Sequence, residues 1–352
     1  MPRHILFCTS VLALCAAPSA LAQAAAVNQS SAEADLRLDR LIVTGSPEAA
    51  AQLGGSATYL DDKLLQIQAD ADISRVLRAV PGVNIQEEDG FGLRPNIGLR
   101  GSGISRSSKI TLMEDGILIA PAPYAEPSAY YFPHIGRMAA VEVVKGPGAV
   151  KYGPRTQGGS INLISTPIPE EAAGFVRLEA GDFDTRRAHA WAGGQTMLNG
   201  LVLGGLIEGF WDRSAGFKTL PGGQDTGYDI ADYVAKIALS DPQAAFPWSL
   251  QIKAQRSDEV SDETYLGLTE ADFAADPYQR YASTAGDRMD ATHEELSARF
   301  TMDFETFDIT LVAYRTEFYR DWFKIDKVDV NGSIANSGGA GTGLTAIAEN
   351  PG

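Results

Sequence analysis

The stretch VEVVKGPGAVKYGPRTQGGSINLIS, residues 141–165, decides how the first half of this sequence is interpreted. Apolar runs flank a glycine-rich segment, which is the general plan of a phosphate-binding loop. The order Gly-Lys-Ser/Thr is missing, however, because Lys145 precedes its glycine and Tyr152 follows Lys151. The third glycine of a dinucleotide loop is also missing after residues 146–148. We therefore interpret the glycines as tight turns between strands, since glycine adopts positive φ angles without a steric penalty.

The N-terminal segment MPRHILFCTSVLALCAAPSALAQ has the three parts of a secretory signal peptide. A short basic start precedes an apolar stretch, and Ala20-Leu21-Ala22 is a small-x-small cleavage site, so residues 1–22 are predicted to be removed on export. Both cysteines, Cys8 and Cys15, lie within this signal. The mature chain is therefore predicted to have neither disulfides nor cysteine metal ligands. Export also argues against a nucleotide-dependent enzyme, because ATP and NAD are scarce outside the cytoplasm.

The net charge and the positions of the histidines argue against further classes of protein. The net charge of −16 makes a nucleic-acid partner unexpected, because an acidic surface repels phosphates. The four histidines lie apart from any Gly-x-Ser-x-Gly motif, so the sequence predicts no catalytic residues and no enzyme. The acidic run between residues 258 and 276 lacks the ordered spacing of a calcium loop, and no metal site is predicted.

Three regions follow the signal peptide. Residues 23–55 are rich in Ala, Ser, Gln and Gly and are predicted to form a flexible arm. Residues 56–170 begin with helical spacing over Asp61–Val80 and continue with short apolar strands between turns, which predicts a compact α/β domain. Residues 171–352 change to longer segments in which apolar and polar residues alternate, and about seven strands can be drawn there.

The alternating segments fit either a soluble β-sandwich or a transmembrane β-barrel. Two features favour the barrel: strands of roughly nine or more residues, and aromatic residues near strand ends. The connections alternate between short and long, which indicates the orientation of the barrel. These aromatic residues are predicted to form an interfacial girdle: Trp211, Tyr314, Phe318, Tyr319 and Trp322. In outer-membrane barrels the short turns are periplasmic, so this barrel is predicted to begin at the periplasmic side. Beyond the signal peptide, no apolar run reaches the ~18 residues of a membrane helix.

The segment RPNIGLRGSGISRSSKITLMEDGILIAPAPYAEP, residues 94–127, together with residues 141–165, resembles the plug domain of TonB-dependent outer-membrane receptors. Within that family it is most similar to the ferric citrate receptor group. The resemblance implies an N-terminal α/β plug domain inside a transmembrane antiparallel β-barrel of about 22 strands, in the outer membrane of a Gram-negative bacterium. Only about seven or eight strands of such a barrel fit in residues 171–352, so the sequence is predicted to be a fragment.

The resemblance also implies which residues have functional roles. A TonB box at residues 39–45 would bind the TonB protein of the inner membrane, through Asp39, Leu41, Ile42, Val43 and Thr44. The apex of the plug would contact the ligand through Phe91, Arg94, Arg106, Tyr124, Glu126, Tyr130 and Arg155. Arg100 and Lys145 would lock the plug by pairing with acidic residues of the barrel. The carboxylate of Glu126 disfavours ferric citrate itself, because two anions repel each other.

The function implied is import of a ferric chelate, either a siderophore or a citrate-like complex, driven by the proton gradient of the inner membrane. The chelate would be the transported ligand, and no resident cofactor is expected. Alternative ligands are haem, cobalamin and an oligosaccharide. A passive porin or adhesin would account for the strands but not for residues 56–170, and an exported carbohydrate-binding β-sandwich would be soluble without detergent.

Overall fold

A computed structural model of the chain describes residues 50, 56–68, 72–119 and 131–325. These residues form an N-terminal domain, from residue 56 to residue 165, and a long sheet that begins at residue 173. The boundary predicted at residue 170 lies in the connection between the two. The predicted signal peptide, most of the predicted arm and the predicted TonB box lie outside the described residues. Among the described residues, no helix is long and apolar enough to cross a membrane.

The N-terminal domain is built on a five-stranded sheet and a separate hairpin. Its strands are β1 (Ser56–Leu60), β2 (Val83–Gln86), β3 (Asn96–Leu99), β4 (Ile110–Glu114), β5 (Ile117–Leu118), β6 (Met138–Lys145) and β7 (Gly159–Ser165). The sheet order is β1-β6-β7-β4-β5, in which β4 and β7 are parallel and the other pairs are antiparallel; β2 pairs with β3. All seven residues of β7 are buried, so both faces of this strand are covered.

Two short helices pack against this sheet, where the sequence predicts one helix over Asp61–Val80. They are α1 (Asp62–Gln68) and α2 (Ile73–Leu77). The single helix is wrong because Asp72 is extended, with φ −90° and ψ 113°, and its carboxylate accepts a hydrogen bond from the Ser74 N–H. An aspartate in this position caps the start of a new helix. The apolar residues of the predicted helix are nevertheless buried, and Leu65, Ile73, Val76 and Leu77 join the core of the domain.

The long sheet is an antiparallel meander of seven strands, each paired with its neighbour in sequence. The strands are β8 (Ala173–Gly181), β9 (Thr185–Leu198), β10 (Leu201–Ser214), β11 (Tyr228–Asp241), β12 (Trp248–Ser261), β13 (Arg288–Asp303) and β14 (Asp308–Phe323). A third helix, α3 (Glu270–Ala275), lies in the connection between β12 and β13. Seven strands were expected from the period-two pattern, and this prediction is confirmed.

The two faces of the long sheet have the reverse of the polarity expected for a soluble protein. Charged side chains on one face are buried against the N-terminal domain, including Asp232, Lys236, Lys253 and Glu295. Large apolar side chains on the other face are exposed, including Leu203, Ile207, Tyr233, Ile237 and Leu296. A soluble β-sandwich buries its apolar face, whereas a transmembrane barrel turns its apolar face to lipid and its polar face to the lumen.

The connections between strands agree with the predicted orientation, with one exception. The turns at residues 199–200, 242–247 and 304–307 are short, and those at 215–227 and 262–287 are long. The connection at residues 182–184 is also short, although it lies at the same end of the sheet as the long ones.

The predicted aromatic girdle is wrong for three of its five residues. Tyr314, Phe318 and Trp322 lie opposite Ser297, His293 and Met289, whose side chains are buried on the inner face of the sheet. Phe318 packs against the core of the N-terminal domain. Of the five predicted residues, only Trp211 and Tyr319 lie on the outward face of their strands. The direction of a side chain on β14 is therefore set by its place in the alternation and not by its distance from the strand end.

Candidate functional site

A buried group of ions joins the N-terminal domain to the long sheet, and Arg137 is its centre. The Arg137 side chain is 0% exposed. Its two terminal nitrogens donate to the two carboxylate oxygens of Glu114, at 3.0 and 2.8 Å, and its Nε donates to Asp232 Oδ2 at 2.6 Å. Glu114 ends β4 and Asp232 lies in the middle of β11, so one guanidinium connects the two parts of the molecule. Such a two-pronged contact fixes orientation as well as charge.

Lys253 of β12 adds a second ionic connection. Its Nζ donates to Glu114 Oε1 at 2.6 Å and to Asp115 Oδ2 at 2.8 Å. Asp115 sits in the turn between β4 and β5 with a positive φ of 50°, and its carboxylate also accepts the N–H of Ser165 at 3.0 Å. Burial alone raises the pKa of both Glu114 and Asp115, but Arg137 and Lys253 beside Glu114, and Lys253 and Lys236 beside Asp115, hold each pKa below its ordinary value. Both carboxylates are therefore ionised at neutral pH.

Three histidines line the same interface. His134 Nδ1 lies 2.9 Å from Asp232 Oδ2, and His189 Nε2 lies 2.8 Å from Glu208 Oε1. The His293 ring stacks on Tyr131 with centroids 3.8 Å apart. His189 is 8% exposed and bound to the Glu208 carboxylate, so it is a buried residue of the interface. Among the described residues, no group of three His, Cys, Asp or Glu side chains has the geometry of a metal site.

His134 should make the interface sensitive to pH. Burial lowers the pKa of His134, but the Asp232 carboxylate outweighs burial and the nearby Arg137, and with Glu259 it raises that pKa above the ordinary value. A raised pKa in the folded state means that the histidinium stabilises the contact fully below about pH 6.5. That stabilisation is lost as the pH rises through the raised pKa.

The measurement is the stability of the complete protein as a function of pH, for the natural chain and for His134→Gln. We expect the free energy of unfolding of the natural chain to exceed that of the variant by about 1 kcal/mol or more at pH 6, and this difference to shrink with rising pH. Glu114 and Asp115 titrate only in acid, so they do not contribute to this difference. A difference between the two proteins that stays constant from pH 6 to pH 9 would rule out the histidinium contact.

Within residues 56–68, 72–119 and 131–325, neither Arg100 nor Lys145 pairs with an acidic residue of the sheet. Lys145 Nζ donates to the Pro81 carbonyl at 2.6 Å, within the N-terminal domain. Arg100 is exposed and turns back over Gly146, where its guanidinium would contact an added Cβ. Arg100 follows β3 and Lys145 ends β6, so both lie away from the strand ends that meet the long sheet. In the middle of the described interface this role belongs to Arg137, Glu114 and Asp115, none of which was predicted from the sequence.

The predicted apical residues separate into three groups. Tyr124, Glu126 and Tyr130 lie outside the described residues. Arg155 is exposed, with its guanidinium 3.5 Å from the Ser108 carbonyl. The structure brings the remaining candidates to the end of the sheet with the long connections: Phe91, Arg94 and Arg106. Phe91 packs on Tyr228 of β11, and Arg106 donates to Tyr265 Oη in the 262–287 connection at 3.0 Å.

Arg94 is the most enclosed of these candidates. It is 5% exposed, and its guanidinium donates to Glu259 Oε1 at 2.5 Å and lies 3.6 Å from Glu263. Its Cζ lies 5.4 Å from the Trp322 ring centroid, within the range of a cation–π contact. Arg94 therefore fastens the N-terminal domain to the sheet at this end, as Arg137 does in the middle.

Comparison with known proteins agrees with this architecture. Residues 49–160 match the family model described as TonB-dependent Receptor Plug Domain. The solved ferric citrate transporter FecA, in its unliganded form, superposes with a TM-score of 0.63 at 22% identity, over 80% of this chain and 42% of FecA. Residues 49–160 therefore form a TonB-dependent receptor plug domain, and the described chain has the fold of these receptors. The N-terminal domain is thus the plug, the long sheet is part of the receptor barrel, and the location is the outer membrane of a Gram-negative bacterium.

Other receptors of this family show the same likeness. The ferric yersiniabactin uptake receptor FyuA of Yersinia pestis has a TM-score of 0.62 at 20% identity, over 78% of this chain and 42% of FyuA. The vitamin B12 transporter BtuB of Vibrio vulnificus is 26% identical over 68% of this chain and 37% of BtuB. The pesticin receptor of Yersinia pestis is 23% identical over 83% of this chain and 43% of that receptor. The chain spans about two-fifths of the length of these relatives.

Proposed function

We propose that the chain is part of a receptor that imports a ferric chelate across the outer membrane, using energy delivered by TonB. The observation that carries the proposal is the polar contact between plug and barrel, centred on Arg137, Glu114, Asp232 and Lys253. Two ions that separate into water exchange their mutual attraction for hydration, so a buried ion pair has a small net free energy. A plug held in this way is firm at rest and can leave the wall when it is pulled.

The plug itself is held together differently from its contact with the barrel. Its core is apolar and includes Val141, Val143, Ile161 and Leu163, which are no more than 1% exposed. Exposing such side chains to water is unfavourable in every arrangement. We therefore propose that the applied force first opens the polar contact, while the sheet of the plug resists. A passive porin needs an open lumen for diffusion, so a domain that covers the inner face of the barrel favours an energy-coupled transporter.

The experiment is deletion of Leu41–Thr44, the core of the predicted TonB box, from the complete receptor. We expect uptake of the ferric chelate to fall to background, while binding to the purified receptor is unchanged, because the box acts only in coupling. Deletion of Asn28–Ser31, four residues of the same arm, is the matched control and should leave uptake intact. Uptake that persists without Leu41–Thr44 would refute coupling through this segment.

A second candidate ligand is cobalamin, which the similarity to BtuB of Vibrio vulnificus supports. Transport energetics and the plug contact would be the same for either ligand, so the deletion does not separate them. Equilibrium binding of cyanocobalamin and of ferric chelates to the complete receptor in detergent does. If only cyanocobalamin binds, cobalamin becomes the proposed ligand instead of a ferric chelate, and the proposed transport mechanism is unchanged.

A further inference from the structure

Two cationic side chains of the described plug apex, Arg94 and Arg106, are already paired with carboxylates of this chain. Arg94 is bound by Glu259 and Glu263, as described above. Arg106 donates to Glu88 Oε2 at 2.9 Å and to Tyr265 Oη at 3.0 Å. An arginine that is held in this way does not offer its charge to a ligand, unless its carboxylate partner is left without a cation.

Two further charged side chains of the described apex, Lys218 and Asp89, are also bound within this chain. Lys218, in the first long connection, is 8% exposed and donates to the Thr264 carbonyl at 3.4 Å. Asp89 accepts the backbone N–H groups of Phe91, Gly92 and Arg94 at 2.5 to 2.9 Å. Lys218 and Asp89 are therefore held by partners within this chain, as Arg94 and Arg106 are.

Aromatic rings provide the surface that remains. The Phe91 ring of the plug lies 4.9 Å from Tyr228 and 5.2 Å from Phe217. Phe217 in turn lies 6.3 Å from both Phe183 and Tyr278. The two outer rings are open to solvent, since Phe183 is 57% and Tyr278 is 55% exposed. Rings at these separations are in edge-to-face or tilted contact, and an exposed ring can stack on a further planar apolar group.

The aromatic group is held in place by the backbone as well as by ring contacts. Thr219 N–H donates to the Tyr278 carbonyl at 2.8 Å, and Arg280 N–H donates to the Thr219 carbonyl at 2.8 Å. These bonds connect the 215–227 and 262–287 loops into one bridge. The Phe217 ring also packs on the plug, where a Cβ at Gly90 would meet it at 2.8 Å. The rings therefore form a preorganised surface shared by the plug and two loops.

We infer that this apex selects a chelate that has little or no net negative charge and that presents an aromatic or similarly planar apolar face. The inference rests on the proposed function and narrows its substrate class. A polyanionic carboxylate chelate would have to draw Arg94 or Arg106 away from its carboxylate and would meet Glu88 and Glu259 instead. A neutral aromatic chelate leaves every ion pair intact and stacks on the exposed rings.

The test uses four ferric complexes that vary charge and aromaticity separately. Iron(III) tris(benzohydroxamate) is neutral and aromatic, and tris(acetohydroxamate) is neutral without rings. Tris(catecholate) is a trianion with rings, and ferric citrate is an anion without them. Binding is measured on the complete receptor in detergent without TonB, so that a failure of energy coupling does not affect the result.

We expect the neutral aromatic complex to bind about tenfold or more tightly than each of the other three. Tighter binding of ferric citrate or of the catecholate would overturn the charge requirement. Equal binding of the two neutral complexes would overturn the aromatic requirement. Absence of binding of the benzohydroxamate complex up to millimolar concentration would overturn the whole inference.

Two variants test the assignment of residues. Glu259→Gln combined with Glu263→Gln releases Arg94, and we expect a gain in ferric citrate affinity of about tenfold. Phe217→Leu removes the central ring, and we expect loss of the preference for the aromatic complex while ferric citrate binding is unaltered. The thermal transition of each variant establishes that it is folded. Ferric citrate binding that does not respond to the double substitution, in a folded variant, would contradict the role given to the ion pairs.

Discussion

Replacing Arg137 by methionine is expected to destabilise the contact between plug and barrel by about 3–5 kcal/mol. Methionine fills a similar volume but leaves the carboxylates of Glu114 and Asp232 without their shared partner. Both carboxylates are almost completely buried, with side chains 2% and 0% exposed, so water does not replace the lost hydrogen bonds. The loss arises because Glu114 then keeps only Lys253, and Asp232 only His134, as a charged partner, whereas a well-packed apolar replacement of the whole group would cost little.

The measurement is the denaturant midpoint at which a fluorescent label on the plug reports its release from the complete receptor. Arg177→Met is the matched control, because Arg177 pairs with Glu179 at 2.6 Å but both side chains are about 30% exposed. We expect the control to lose no more than about 1 kcal/mol. Equal losses in the two variants would show that Arg137 does not hold the plug.

Replacing Lys253 by methionine is expected to have the second large effect, also about 3–5 kcal/mol. Lys253 is 3% exposed and serves both Glu114 and Asp115. Lys253→Met leaves Glu114 and Asp115 without this cation, and adding Asp115→Asn removes one of those two negative charges. The double variant should therefore lose less stability than the sum of the losses in the two single variants. The same release assay measures all three proteins.

Arg256→Met is the matched control for Lys253. Arg256 lies three residues further along β12 but faces outward, where it is 52% exposed and pairs with Asp258 and Glu294. We expect a change within about 1 kcal/mol for this exposed group. A larger loss at Arg256 than at Lys253 would mean that the faces of β12 have been assigned the wrong way round.

The sequence was sufficient to predict the strands and the polarity of their faces. Period-two alternation is a local property, so the seven strands of the long sheet and the inward direction of Lys253 and Gln255 follow from counting residues. The same counting also predicts the inward direction of Tyr314, Phe318 and Trp322, because outward Leu311 and Ala313 have odd numbers. The girdle prediction failed because it used distance from the strand end and ignored this parity.

The ionic contacts could not be predicted in the same way. Arg137 and Asp232 are 95 residues apart, and their contact depends on how the plug is placed against the wall. Sequence gives no measure of that placement. It therefore does not distinguish Arg137 from Arg100 and Lys145 as the residue that pairs with the barrel. One signal was present: Glu114 and Asp115 follow the buried run of β4, and a carboxylate there needs a cation from another element. The sequence pattern does not indicate which cation pairs with these two carboxylates.

The central claim is that the plug covers the polar inner face of the barrel wall while the opposite face meets lipid. Spin labels on single cysteines at Val234, Ala235, Ile237 and Ala238 of β11 test it directly, because residues 23–352 contain no cysteine and none of these four residues carries a charge. In the complete receptor in lipid, we predict that labels at 235 and 237 collide with oxygen dissolved in the bilayer. Labels at 234 and 238 should be shielded from oxygen and from a water-soluble paramagnetic reagent. Free access of that reagent to 234 and 238, as in an empty lumen, would contradict the account.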